Sequence, residues 1–371
     1  MIDAQDTAFM ARAIQLAWRG RYSTHPNPRV GCIIAKRGRI LGEGWHERAG
    51  EGHAETRALS QAGPAARGAT AYVTLEPCSH FGRTPPCARA LIDAGIAHVF
   101  AATKDPNPAV SGRGLDMLRD AGIRVTEGVL AEDARKLNPG FMKRMETGRP
   151  YVRVKIAASL DGRTAMASGE SQWITGADSR RDVQRLRAIS DAILTGVGTV
   201  LADDPSLTVR RAELGDIGLA TEPARQPLRV IADRDARTPV TARILHGGNV
   251  RLFCSSEALV TAPAQDLSAL GVSLSGVSWK TDGVDLGELL DFLGELGINE
   301  LLVEAGPTLA GAFIAERLLD ELWLYQAPVF LGSDARPTAR LPLATMAEKV
   351  RWAVRDRRQV GEDERLILVP S

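Results

Sequence analysis

Gly52-His53-Ala54-Glu55, followed by Thr74-Leu-Glu-Pro77-Cys78 and then Cys87, is the stretch from which the rest of the chain is read. A neutral imidazole and two thiolates suit Zn²⁺, and three protein ligands leave a fourth position for water. The flanking pattern places His53 and Cys78 where loops run into helices. There the exposed N–H groups and the helix dipole favour a thiolate over a thiol. Glu55, two residues after the histidine, lies beside the metal without being needed as a ligand. Its carboxyl can take a proton from water and return it to a leaving amine. Those parts are what hydrolytic deamination of an amino-substituted ring carbon requires. A lone His-x-Glu is most often a solvated helix face, and a lone Pro-Cys says less; the conjunction carries the reading. A closed structural zinc site, with His80 or another thiol in the fourth position, stays open as the alternative. Cys32, in mid-strand, and Cys254, in the other half of the chain, read as buried apolar side chains.

Working outward, Asp3 to Trp18 carries apolar side chains at helical spacing, with Phe9, Ala13, Leu16 and Ala17 on one stripe. Val30–Ala35 and Ile40–Gly44 read as a hairpin turned at Lys36-Arg37-Gly38. A helix from His53 to Ala62, a strand from Thr70 to Leu75 and a helix from Cys87 to Asp93 follow. After them come a strand over Ala97–Thr103, a helix over Gly114–Ala121 and a strand over Ile123–Thr126. A hairpin followed by β-α-β-α-β predicts an α/β sheet covered by helices. Residues 127–150 show no strand, and Glu146-Thr-Gly-Arg-Pro150 reads as a boundary. The predicted domains are therefore 1–148 and 149–371. The second opens with a strand at Tyr151–Ala158 and continues with strands at Asp191–Thr195, Leu228–Ile231, Val250–Cys254, Glu300–Glu304 and Glu321–Gln326. Residues 211–227 and 255–285 read as surface loops.

Composition bounds the function. The 371 residues exceed one ordinary domain of about 150. Lys+Arg 46 against Asp+Glu 45 leaves a net charge of +1, so no electrostatic excess draws the chain to nucleic acid or anionic lipid. Aromatic residues at 5% offer few stacking platforms for exposed bases. No apolar run approaches the roughly 20 residues of a membrane helix, and the N-terminus lacks a signal-peptide pattern. A cytoplasmic enzyme with a small-molecule substrate, no nucleic-acid or membrane partner, and a homo-oligomeric state (a dimer favoured) is the expectation. In the second half, Thr195-Gly-Val-Gly198-Thr199 follows one strand, and Ala305-Gly306-Pro307-Thr308 follows another. Pro307 suits a first helical position, so the amides around Gly306 should open outward as an anion site fit for a dinucleotide phosphate. Leu201 stands where a third glycine would complete a Rossmann fingerprint, so that reading is weak.

His53-Ala54-Glu55 with Pro77-Cys78 resembles the zinc-dependent cytidine and nucleobase deaminases, which usually close the motif as Pro-Cys-x-x-Cys. Here eight residues, Ser79–Pro86, separate Cys78 from Cys87. Leu75-Glu-Pro-Cys-Ser-His-Phe-Gly-Arg-Thr-Pro-Pro-Cys87, His25-Pro-Asn-Pro28 and Lys104-Asp-Pro-Asn-Pro108 are similar instead to the riboflavin-biosynthesis deaminases. Ala158-Ser-Leu-Asp-Gly-Arg-Thr-Ala165, Ser171-Gln-Trp-Ile-Thr175 and Val303-Glu-Ala-Gly-Pro-Thr-Leu309 resemble the reductase domain fused to them. The resemblance covers nearly the whole chain.

The resemblance implies a cytidine-deaminase-like three-layer domain plus a dihydrofolate-reductase-like domain, with Zn²⁺ and NADPH as cofactors. It implies His53, Cys78 and Cys87 as zinc ligands and Glu55 as the proton carrier. Asn27, His46, His80, Arg83 and Asn107 would bind a pyrimidine ribosyl phosphate. NADPH contacts fall on Ala157, Trp173, Thr199, Asp203 and the run Gly306, Pro307, Thr308, Leu309, Ala310, Gly311 and Ala312. Substrate contacts of the reductase fall on Lys155, Ser171, Arg187, Leu207, Arg210 and Glu304. Arg234 stands where some relatives carry a cofactor-side serine, and it could pair with a 2′-phosphate. Two rivals remain. One is a deaminase whose second domain only binds nucleotide, and the other is an RNA-binding module of the tRNA-deaminase type.

Overall fold

A computed structural model describes residues 2–79, 85–108, 110–215, 225–281 and 283–371. The chain divides into two compact units, Met1–Gly148 and Arg149–Ser371.

In the N-terminal unit, α1 (Ala4–Ala17) starts at Asp3, whose side chain and that of Asp6 form a capping box. The strands β1 (Gly31–Lys36) and β2 (Arg39–Trp45) form the expected hairpin. Then come α2 (Ala54–Ala62), β3 (Thr70–Val73), α3 (Cys87–Asp93), β4 (His98–Ala101), α4 (Arg113–Asp120) and β5 (Arg124–Glu127). Their sheet runs β2-β1-β3-β4-β5, antiparallel in its first two pairings and parallel from β3 onward. One face buries Ala54 and Ala58 of α2, Leu91 of α3, and Leu115 and Leu118 of α4. The other buries Met10, Ala13 and Leu16 of α1. That makes three layers. Two helices, α5 (Ala131–Arg135) and α6 (Pro139–Thr147), fill the segment whose polar character showed no strand.

The C-terminal unit opens with β6 (Tyr151–Ala158) and a short β7 (Arg163–Ala165). Next come α7 (Ala177–Ile189), β8 (Ala192–Gly196), α8 (Val197–Asp203), β9 (Leu228–Ala232), β10 (Val250–Cys254), α9 (Ala262–Ala269) and β11 (Ser273–Gly276). After the two-residue strands β12 (Trp279–Lys280) and β13 (Gly283–Val284) come α10 (Leu286–Glu295), β14 (Glu300–Glu304), α11 (Pro307–Ala315) and β15 (Glu321–Gln326). The chain finishes with β16 (Arg336–Pro337), β17 (Trp352–Val360) and β18 (Asp363–Pro370). The large sheet runs β11-β10-β9-β8-β14-β6-β15-β18-β17. It is parallel from β11 to β15, and β18 and β17 are added antiparallel.

Alternation along β6 sets the chemistry. Val152, Val154 and Ile156 enter the core under α10 and α11, so Arg153 and Lys155 point to the opposite face. Lys155 pairs in register with Glu304 of β14.

Part of the second unit departs from expectation. The stretch read as loop over 255–285 holds α9 and β11, and β17 and β18 have no counterpart in the pattern reading. In β17 the charges Arg355, Asp356, Arg357 and Arg358 stand consecutively, which erases the apolar alternation of a strand. It lies at the sheet edge, where such charges discourage further pairing.

Candidate functional site

The deaminase-type site is built by close packing of α2 on β2. A Cβ at Gly42 would stand 2.1 Å from the Ala58 carbonyl oxygen, and one at Gly44 would stand 2.2 Å from that of Ala54. Bare backbone on the strand and alanines on the helix let the two elements touch, which brings the start of α2 to the sheet end. His53 is the N-cap residue of that helix, with extended backbone, and Glu55 sits in its first turn. Cys78 lies in the loop after β3, and Cys87 is the first residue of α3.

The three ligand atoms converge. His53 Nδ1 lies 3.2 Å from Cys87 Sγ and 3.7 Å from Cys78 Sγ, and all three fall within 4.8 Å of one another. A tetrahedral zinc with Zn–S of about 2.3 Å and Zn–N of about 2.0–2.1 Å needs N···S and S···S edges of about 3.5–3.8 Å. The triangle fits. The Cys87 amide donates to Cys78 Sγ at 3.3 Å, so the thiolate sits where the helix start favours negative charge. Hydrogen bonds from Cys87 and His53 hold Cys78 well below an ordinary thiol, marking it as an anionic ligand. Among the described residues these three form the one His/Cys/Asp/Glu group with such spacing.

Glu55 is 3% exposed. Burial, then the Cys78 charge, raise its carboxyl to about 7, against an opposing pull from His53. A group balanced near neutrality can both accept and release a proton at working pH.

His46 is buried rather than an exposed loop residue, and burial pushes its imidazole below the ordinary range. The Asn27 amide Nδ2 lies 3.1 Å from His46 Nε2, and the His46 and His53 rings meet edge-on at 5.3 Å. Asn107 follows β4, its backbone N–H donating to Asp105 Oδ1 at 2.8 Å. His80 and Arg83 lie outside the described residues. Cys32 and Cys254 are buried in β1 and β10 among apolar side chains.

In the C-terminal unit a cleft of about 890 Å³ opens at the carboxyl ends of β6, β8, β9 and β14. That is where a doubly wound sheet binds its ligands. Gly196 and Gly306 are the N-cap residues of α8 and α11. Neither needs to be glycine for the fold. A Cβ at Gly306 would stand 3.7 Å from Thr199 Oγ1, one at Gly196 would stand 3.8 Å from Leu309, and one at Gly198 would meet nothing. What their bareness leaves open is the cleft.

Of the residues expected at the cofactor, Ala157, Trp173, Thr199, Asp203, Gly306, Pro307, Thr308, Leu309 and Ala312 line the cleft. Ala310 and Gly311 do not, because they point from α11 into the protein. A Cβ at Gly311 would stand 2.2 Å from the Arg340 carbonyl oxygen, so this glycine serves packing. Lys155, Ser171, Arg187, Leu207, Arg210 and Glu304 all line it. Leu207 does so with φ 48, a conformation that costs a bulky residue of order 1 kcal/mol or more.

Arg187 is neither a solvated charge nor a free clamp. Its Nε and Nη2 donate to Glu304 at 2.5 and 2.9 Å, and Nη1 donates to the Thr208 carbonyl. Burial pushes the Glu304 carboxyl up, but Arg187 outweighs it and holds the group below the usual range. Burial lowers the Lys155 ammonium, opposed by Glu304. Ser171 Oγ donates to Asp203 at 2.9 Å, and the Arg180 guanidinium stands 4.6 Å over the Trp173 ring.

Sequence reasoning missed Arg180, Arg243, Arg336 and Arg340, which join Lys155, Arg187 and Arg210 on the cleft wall. Seven cations there face three acids, Asp203, Asp204 and Glu304. Arg234 is exposed beyond β9 and outside the lining, whereas Arg243 is part of it. Charge on a cleft assembled from many elements leaves no local motif by which to find it.

A family model described as "Cytidine and deoxycytidylate deaminase zinc-binding region" matches residues 3–103, and one described as "RibD C-terminal domain" matches 150–363. The Escherichia coli riboflavin biosynthesis protein RibD is 53% identical over 370 residues, covering 98% of this chain and 99% of that protein. The chain belongs to the RibD family. Its Haemophilus influenzae relative is 49% identical over 99% of this chain and 98% of that protein. An Acinetobacter baumannii RibD structure superposes with a TM-score of 0.92 at 48% identity, covering 99% of each chain. A Thermotoga maritima deaminase/reductase does so at 0.84 and 34% identity, covering 98% of each. The chain is therefore a bifunctional riboflavin-biosynthesis enzyme, a zinc-dependent deaminase joined to an NADPH-dependent reductase. No helix among its described residues is long and apolar enough to cross a membrane.

Proposed function

We propose that residues 1–148 hydrolyse the ring amine of 2,5-diamino-6-ribosylamino-4-pyrimidinone 5′-phosphate, and that residues 149–371 reduce the ribosyl group of the product to ribityl. The carrying observation is the triangle of His53 Nδ1, Cys78 Sγ and Cys87 Sγ beside the buried Glu55. In this reading those three atoms hold zinc, which supplies Lewis-acid activation of water at neutral pH. Glu55 takes the proton lost by the attacking water and delivers it to the departing amine. C–N cleavage then releases ammonia and leaves a ring carbonyl. Asn27, His46 and Asn107 orient the pyrimidine, since amide and imidazole edges pair with ring donors and acceptors.

In the second unit the amides at the starts of α8 and α11 receive the NADPH diphosphate. NADPH held there would supply the hydride for reduction of the opened sugar, with one proton taken up from solvent. Lys155 and Glu304, paired in register on neighbouring strands, face the sugar, and Arg187 keeps Glu304 ionised. Ser171, Leu207 and Arg210 complete the substrate side. The positive cleft wall supports two phosphorylated ligands. We further propose a cytoplasmic homodimer that engages neither nucleic acid nor membrane, to be checked by light scattering and low-salt filter binding.

The test is zinc content together with turnover of the diaminopyrimidine phosphate. One zinc per chain, ammonia release without NADPH, and NADPH consumption only after deamination are expected. Zinc without ammonia release would make the site structural.

A further inference from the structure

Glu76, two residues before the Cys78 ligand, is 3% exposed and pairs with no cation among the described residues. Its carboxylate is instead satisfied by four backbone amides. Oε2 accepts from Asp105 at 3.2 Å and Gly112 at 2.9 Å, and Oε1 accepts from Gly114 at 2.9 Å and Leu115 at 3.4 Å. Two of these donors belong to the first turn of α4, where the helix dipole favours an anion. The others belong to the chain that leaves β4 carrying Asn107, whose backbone N–H donates to Asp105 Oδ1. From the other side, a Cβ on Gly114 would stand 1.9 Å from the Pro77 carbonyl oxygen, so α4 is pressed directly against the residue before Cys78.

A buried carboxylate with only amide partners is costly to desolvate, so it stabilises one arrangement of those amides strongly over any other. We propose that Glu76 is a positioning residue of the deaminase, clamping the chain that carries Asn107 to the loop after β3 that carries Cys78. The bound pyrimidine and the ligand thiolate are thereby kept in one register. This rests on the reading above in which Asn107 contacts the substrate.

The experiment uses the full chain loaded with zinc and steady-state deamination of the diaminopyrimidine phosphate. Glu76→Gln keeps the shape but turns an NH₂ group toward two N–H donors. It should raise KM roughly tenfold or more, with kcat changed much less and zinc stoichiometry retained. Asn107→Ala should raise KM comparably. The double variant should be no worse than Asn107→Ala alone, because one substitution removes what the other positions. Zinc stoichiometry of the same preparations reports the folded fraction of the deaminase unit, and reduction of pre-deaminated substrate normalises the chain concentration. A merely structural role would lower the active fraction and leave KM unchanged, and that result overturns the proposal, as would KM effects that multiply. Unchanged KM in Asn107→Ala alone would instead remove the substrate reading beneath it. Should Glu76→Gln not fold, Glu76→Asp decides: raised KM supports the clamp, and wild-type KM overturns it.

Discussion

The two sites of this chain are assembled on opposite plans. The zinc triangle comes from one short run of chain, with His53 capping α2 and Cys87 opening α3, and its chemistry lies in the donor atoms themselves. The reductase cleft draws residues from Lys155 to Arg340, and its chemistry lies in pairings such as Arg187 with Glu304, 117 residues apart. A site defined by ligand atoms tolerates no substitution. One defined by a shared field and open space degrades by degrees.

The comparison breaks most sharply at the ligands. Cys78→Ser or Cys87→Ser should lose zinc and with it all measurable deamination, while reduction of pre-deaminated substrate persists. Cys32→Ser and Cys254→Ser should keep the metal. Metal analysis beside both assays checks this, and loss of reduction in the ligand variants would mean the two activities are not separable. Next in size, Glu55→Gln should retain zinc and substrate binding but lose roughly 10²-fold or more in deamination rate, the usual worth of general acid–base transfer. Unchanged ammonia release would remove Glu55 from the mechanism.

In the cleft the effects should be graded. Arg187→Ala leaves Glu304 buried without its fork, so the apparent substrate constant of reduction should rise by the equivalent of about 1.5–3 kcal/mol. Arg187→Lys should recover only part, since an ammonium cannot reproduce two parallel bonds. Equal constants in all three proteins would show that the pair is scaffolding. Smallest is Gly306→Val. Its Cβ has room beside Thr199, so the fold should hold, while the added methyls intrude on the cofactor space. NADPH titration by fluorescence should show binding weakened roughly tenfold, in line with one lost close contact. Normal binding would place the cofactor away from α11.

Much of this architecture is written in local pattern. Alternation in Tyr151–Ala158, the helical stripe of α1 and the His-Ala-Glu to Pro-Cys spacing announce strand, helix and metal chemistry. Each is enforced within a few residues by backbone geometry. The edge strand β17 escaped because its charges follow solvent exposure rather than a buried face. Arg180, Arg243, Arg336 and Arg340 escaped because a lone arginine carries no period.

By itself, then, the sequence determined which atoms could bind a metal, where α1, α2 and α3 begin and which faces are apolar, since those follow from residue type and near neighbours. Only the tertiary structure decided that Arg187 is spent on Glu304, that Gly311 packs against Arg340 away from the cleft lining, and that Glu76 joins two loops through buried amides. These depend on which side chains meet across strands far apart in the chain. There, burial turns a weak solvated contact into a binding constraint.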